Sequence, residues 1–170
     1  SQGDARRRPF DHSKQRLDLC QQFGIGTMLL VADFAQRIDG TSLGRAVVSM
    51  KEAAKWAEGF GVTLALEFRG GDTFCTCLET AIMLVGECGE PNLGVCLDAF
   101  HYYKGPSKPE DLAKLTAANL AHVQVCDVAG VPRELMTDSD RVFPVERAFD
   151  LPPVVRRPRE IDSARWSPLT

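Results

Sequence analysis

Three polar residues in this chain stand where chemistry could be done: Glu67, Asp98 and Gln124. Each follows or closes an apolar run, with Val62–Leu66 before Glu67, Leu93–Leu97 before Asp98, and His122–Val125 around Gln124. Two carboxylates and an amide make an oxygen-rich set of the kind that hard divalent cations such as Mg²⁺ and Mn²⁺ favour. A cation held there polarises a carbonyl and its neighbouring hydroxyl, while a carboxylate moves a proton between adjacent carbons. His101, three residues after Asp98, adds an imidazole to the same end of the chain segment. Packing explains such a carboxylate poorly, because burying it unpaired costs several kcal/mol. The plainer alternative is that Asp98 caps the following loop, that His101 is a surface histidine, and that the three strand-end residues are unrelated.

The elements that would position these residues follow from hydrophobic spacing. Leu17, Leu19, Cys20 and Phe23 suit an amphipathic helix over 11–23, ended by Gly24 and Gly26. Thr27–Ala32 reads as a first buried strand. Leu43, Val47, Met50, Ala54 and Ala57 then recur at helical spacing behind Thr41 or Ser42 as a cap. Phe74, Leu78, Ala81, Ile82 and Val85 mark a third helix, and Pro109 opens a fourth that carries Leu112, Leu115 and Leu120. Glu67 and Asp98 are 31 residues apart (67 to 98), and Asp98 and Gln124 are 26 apart (98 to 124). Each interval is about one βα unit, so the strands are parallel and their ends face one side. Val142-Phe143-Pro144 reads as a further stub of strand. Residues 1–10 are expected to be loose, 11–145 to form the domain, and 146–170 to be an irregular tail. Within that tail Pro152, Pro153 and Pro158 disfavour one continuous helix.

Bulk properties exclude several classes. At 170 residues, 44% hydrophobic and 25% charged, the chain can bury one domain core. A formal net charge of -3 opposes tight nucleic-acid binding, and the Arg6–Arg8 and Arg156–Arg159 clusters read as solvated tails. No stretch approaches the about 20 apolar residues that span a bilayer, and the polar N-terminus lacks the apolar core of a secretory signal. Six cysteines with no second pair at zinc-site spacing read as reduced thiols, which implies a cytoplasmic protein.

The segments Leu64-Ala-Leu-Glu67-Phe, Pro91-Asn-Leu-Gly-Val-Cys-Leu-Asp98-Ala-Phe-His101 and His122-Val-Gln124-Val-Cys-Asp127 resemble the xylose isomerase-like TIM-barrel superfamily of sugar isomerases and epimerases. The resemblance runs from about Leu17 to Phe143. It implies an α/β fold and a divalent metal (Mn²⁺, Mg²⁺ or Co²⁺) held by Glu67, Asp98 and Gln124. It also implies a small carbohydrate or hydroxy-ketone substrate. Glu67 would be both ligand and proton-transfer base, working through an enediolate. His101 would act beside it as a catalytic and substrate-binding residue, and Arg133 and Arg141 would approach substrate oxyanions. Glutamine at position 124, where many relatives have histidine, resembles the hydroxypyruvate isomerase branch. The metal-dependent abasic-site endonucleases, a related barrel group, gather more histidines than His12, His101 and His122 supply.

The departures from that pattern carry their own expectations. The family barrel has eight βα units and typically about 250 residues. About five parallel strands are expected here, resembling the third to seventh of an incomplete (β/α)8 barrel. The glutamate of the last strand has no counterpart, since Glu160 lies in a Pro- and Arg-rich tail. The tail is thus expected to be the truncated or frame-altered end of a longer parent. An incomplete barrel has open edges, which invites homo-oligomer formation through them. A non-catalytic scaffold that keeps part of the metal site is the alternative to a working enzyme.

Overall fold

The computed structural model describes residues 2–32, 34, 38–128, 130–144 and 150–161. Its centre is a four-stranded parallel sheet in the order β1 (Thr27–Val31), β2 (Thr63–Glu67), β3 (Leu93–Asp98), β4 (Leu120–Gln124). Consecutive strands are neighbours, and helices α2 (Ser42–Gly59) and α3 (Leu78–Cys88) cross between them. This is an α/β fold built as part of a barrel, with an unpaired edge at β1 and another at β4 among the described residues. No helix among those residues is long and apolar enough to cross a membrane.

One face of the sheet carries the main core. Leu64 and Leu66 of β2 and Val95 and Leu97 of β3 meet Met50, Ala54 and Ala57 of α2 and Leu78, Ala81 and Leu84 of α3. Burying each of the larger side chains is worth about 1.5–3 kcal/mol, so this layer fixes which way every strand faces. The opposite face is lined by small side chains, Ala65, Cys96 and Ala121. Because side chains alternate along a strand, the core-facing leucines oblige Glu67 and Asp98 to share the face of Ala65 and Cys96.

Register then sets their spacing. Val31 lies opposite Glu67, Glu67 opposite Cys96, and Asp98 opposite Gln124, with a register shift between Val95 and Cys96. β3 is buried along its whole length. Gly94 permits its close approach to β4, because a Cβ there would stand 2.7 Å from that of Ala121.

Several expected elements take a different form. The first helix, α1 (Gln2–Gln22), starts well before residue 11 and includes most of the stretch expected to be loose. α3 begins at Leu78 rather than Phe74. A short helix absent from the sequence reading, α4 (Ala99–Lys104), follows β3 directly, capped by the Asp98 side chain accepting from the His101 N–H at 3.0 Å. The expected fourth helix shrinks to α5 (Pro109–Leu112), and Leu120 opens β4 instead of closing a helix. No fifth parallel strand forms among the described residues. The stub expected near Val142 is β6 (Arg141–Val142), and it pairs antiparallel with β5 (Asp127–Val128). Among the described residues the connection from β5 to β6 holds two 3-10 turns and no crossover helix, so the chain returns as a hairpin and the strand runs backwards.

The tail contains a helix, α6 (Leu151–Glu160), despite its prolines. Pro152 and Pro153 occupy the first turn, where backbone N–H groups have no helical partner to lose, and Pro158 sits in the last. Tertiary contacts supply the rest. Val154 is fully buried, and Arg157 donates to the carbonyls of Ala113 and Leu115 at 3.2 and 2.6 Å. Residues 146–149 and 162–170 of the expected tail, and 33 and 35–37 of the loop after β1, lie outside the described residues.

Candidate metal centre

The carboxyl ends of β2, β3 and β4 deliver Glu67, Asp98 and Gln124 to one point. One end of the Gln124 amide lies 3.2 Å from Glu67 Oε1 and 2.6 Å from Asp98 Oδ2, and its oxygen occupies that end. Three oxygens this close repel each other unless a cation lies among them or the amide turns its nitrogen inward to donate to both carboxylates. His101 joins them from the first turn of α4. Single ligand atoms of Glu67, Asp98 and His101 lie within 4.8 Å of one another, and this is the one such group of His, Cys, Asp and Glu among the described residues. Carboxylate oxygens, an amide oxygen and an imidazole nitrogen suit a divalent cation, so the residues present fit the metal that the sequence implies.

The surroundings are charged and buried. Asp98 is fully buried, and Arg141 Nη1 donates to its two oxygens at 2.9 and 3.2 Å. Arg141 is held in turn by Asp138, whose Oδ1 accepts from Nη2 at 2.8 Å and from Nε at 3.0 Å. Asp98 and Asp138 outweigh the burial of the guanidinium and keep it more firmly protonated than usual. Burial, reinforced by the neighbouring Asp98 charge, pushes the Glu67 carboxyl above its ordinary range, while Arg141 and Arg69 oppose the shift. His101 Nε2 lies 3.9 Å from Glu67 Oε1 and 3.5 Å from Arg141 Nη2, and its Nδ1 is buried without a hydrogen-bond partner. Burial lowers the pKa of His101, with Asp98 and Arg141 pulling in opposite directions.

Of the residues singled out in the sequence, the fold brings together Glu67, Asp98, His101, Gln124 and Arg141. Arg133 is not brought there. Its guanidinium donates to the carbonyls of Lys104 and Gly105 and stacks over Tyr103, closing the C-terminal end of α4 instead of facing the cluster. His101 is buried, so it is not a surface histidine, although Asp98 does cap the segment after it. Three neighbours escaped the sequence reading: Asp138, Arg69 and Cys126, whose sulfur lies 3.5 Å from Arg141 Nη1. Only Asp138 had a local signal, its i,i+3 spacing to Arg141. All six cysteines are free, and burial pushes the Cys75 thiol up to about 12.

Comparison with known proteins fits this architecture. A family model described as the xylose isomerase-like TIM barrel matches residues 1–166. The chain belongs to that family. Within the xylose isomerase-like family, an inosose isomerase of Bacillus subtilis (strain 168) is 30% identical over 142 residues, covering 81% of this chain and 51% of the relative. An inosose isomerase of Halalkalibacterium halodurans is 33% identical over 104 residues, 60% of this chain and 36% of the relative. The chain thus spans about half the length, or less, of the curated relatives it matches. The crystal structure of an IolI protein with a bound zinc atom superposes with a TM-score of 0.84 at 26% identity, over 93% of this chain and 58% of that one. A D-psicose 3-epimerase solved in the presence of D-fructose shares the fold, with a TM-score of 0.69 at 17% identity over 89% and 52% of the two chains.

Proposed function

We propose that this chain is the metal-holding and proton-transferring part of an isomerase or epimerase acting on a small sugar or hydroxy-ketone. The observation that carries the reading is the convergence of Gln124 on Glu67 and Asp98 at 3.2 and 2.6 Å. Glu67, Asp98 and Gln124 would hold a divalent cation such as Mn²⁺, Mg²⁺ or Co²⁺, which supplies Lewis-acid polarisation of a carbonyl when bound. Glu67, whose proton affinity is raised by burial, takes the proton from the carbon beside the carbonyl and returns it to the neighbouring carbon. His101, whose pKa is lowered chiefly by burial, orients a substrate hydroxyl against Glu67. Arg141 lies beside the same carboxylates and faces the developing oxyanion. The inosose isomerase relatives and the zinc-bearing IolI structure support this substrate class and a metal, as statements about those proteins.

A second reading, a scaffold that binds metal without turnover, is favoured by the placement of Glu160. It sits on α6 at 3.8 Å from Arg157, outside the cluster, so the described residues bring no second glutamate to Glu67. Elemental analysis of purified protein, paired with deuterium exchange from D2O into a panel of ketoses, separates the two. The isomerase reading expects about one Mn²⁺ per chain, lost in both Asp98→Ala and Gln124→Leu, and exchange that depends on it. Metal without exchange supports the scaffold; no bound metal rejects both.

A further inference from the structure

Among the described residues β1 and β4 each keep one edge unpaired, and every pairing between them runs parallel. In an eight-stranded barrel, four strands take up half the circumference. We propose that these two edges are the interface with a second copy of this chain. β1 of each copy pairs with β4 of the other about a two-fold axis along the barrel, and eight parallel strands close.

The edges themselves argue for this partner. β1 (Thr-Met-Leu-Leu-Val) and β4 (Leu-Ala-His-Val-Gln) are five residues each. Neither contains Lys, Arg, Asp, Glu or Pro, the residues that keep an exposed edge from pairing. A contact between unlike edges closes only when its rotation completes a circle, and otherwise grows without limit. Half a barrel per copy sets that rotation at half a turn, so two copies suffice and no edge is left.

Exposed apolar surface lies where closure covers it. Leu29 sits opposite Ala65 and Val31 opposite Glu67, so both share the face lined by Ala65, Cys96 and Ala121. That face is the barrel interior, which branched apolar side chains normally fill. Leu29 and Val31 are instead 41% and 38% exposed. On the other face α1 docks Leu17 and Cys20 into the core. A helix that precedes a strand in right-handed order covers that strand's outer seam. Leu19 near the end of α1, with Phe23 and Ile25 just beyond it, leaves further apolar surface exposed beside β1.

The area agrees. The chain exposes 10197 Å², whereas a folded monomer of 18.7 kDa exposes about 8,300 Å². For a pair of chains the excess is about 3,800 Å², within the range that obligate homodimers bury.

Closure also completes the rim around the cluster. Beyond Gln124 the rim continues with the partner's Val31 and then the partner's Glu67. The two β2 strands lie directly across the barrel, so the two Glu67 carboxylates face one another over its mouth. Each cluster, which holds one glutamate among the described residues, thereby faces a second and loses its open side. The pairing rests on the strand edges alone and goes beyond the isomerase reading.

The test is sedimentation velocity of the full chain in chelator, across a concentration series. It is repeated for Leu29→Lys, Leu29→Ala and, as a control on the exposed face of α2, Val48→Lys, each checked for native circular dichroism. Wild type and Val48→Lys are expected to be dimers at micromolar concentration. Leu29→Lys sets a charge inside the closed barrel and is expected to weaken the dimer at least about a hundredfold. Leu29→Ala removes only apolar contact and is expected to weaken it roughly tenfold, which keeps the comparison should the lysine variant fail to fold. A monomeric wild type, a ladder of species larger than the dimer, or a dimer that neither Leu29 variant weakens overturns the proposal. The measurement needs neither metal nor turnover, so its failure is distinct from failure of the isomerase reading.

Discussion

Arg141 bonds both carboxylate oxygens of the fully buried Asp98 through one guanidinium nitrogen, across 43 residues of sequence. A cation from a distant hairpin thus stands among the polar groups that the strand ends bring together. Breaking such a pair from one side strands a buried charge, which costs about 3–5 kcal/mol. Arg141 is 27% exposed, so a smaller loss, about 2–4 kcal/mol, is expected for Arg141→Met in chelator. Urea titration measures it. Added Mn²⁺ should recover most of the loss, and a variant as stable as wild type in chelator would show that the pair contributes nothing.

Glu67 sets a pH dependence. Its folded carboxyl is shifted upward by burial and by Asp98, so the folded state holds the proton more tightly than the unfolded chain. Stability of the metal-free protein is therefore expected to fall as pH rises from the ordinary carboxylate value through the raised one. Glu67→Gln should remove that slope and melt higher than wild type at neutral pH in chelator. Thermal melts from pH 4 to 8 test this; identical slopes in the two proteins would refute it.

Gln124 distinguishes a metal ligand from a structural donor. Gln124→Glu sets a third carboxylate against Glu67 and Asp98, and is expected to lower metal-free stability while tightening Mn²⁺ binding roughly tenfold. A residue serving only to donate to two carboxylates would lose stability in that variant with no gain in affinity. Calorimetric titration of Mn²⁺ reads the difference.

Gly105 is a packing requirement. A Cβ there would stand 2.4 Å from the Thr76 carbonyl oxygen and 2.9 Å from the Gly70 Cα, both backbone atoms with no rotamer to yield. Gly105→Ala should cost about 2–3 kcal/mol in a denaturant titration. Gly44→Ala, where nothing lies within 4 Å on the α2 surface, should instead stabilise slightly.

What was legible in the chain was whatever local pattern controls. Short apolar runs ending in Glu67, Asp98 and Gln124, separated by helical spacing, already determine parallel strands with those residues on one rim. Alternation along a strand makes the burial of Leu64, Leu66, Val95 and Leu97 dictate the face of their neighbours. Tertiary structure decided the rest. Whether Arg133 or Arg141 reaches the site depends on a hairpin, β5 to β6, whose direction no local period encodes. The helix at Leu151–Glu160 forms against its prolines because Val154 is buried and Arg157 finds carbonyl partners more than forty residues away. Gly70 meets the backbone of Gly105, a close approach between two segments far apart in sequence. Strand ends are set by nearest neighbours, whereas the charges and walls around them come from segments that meet only after folding.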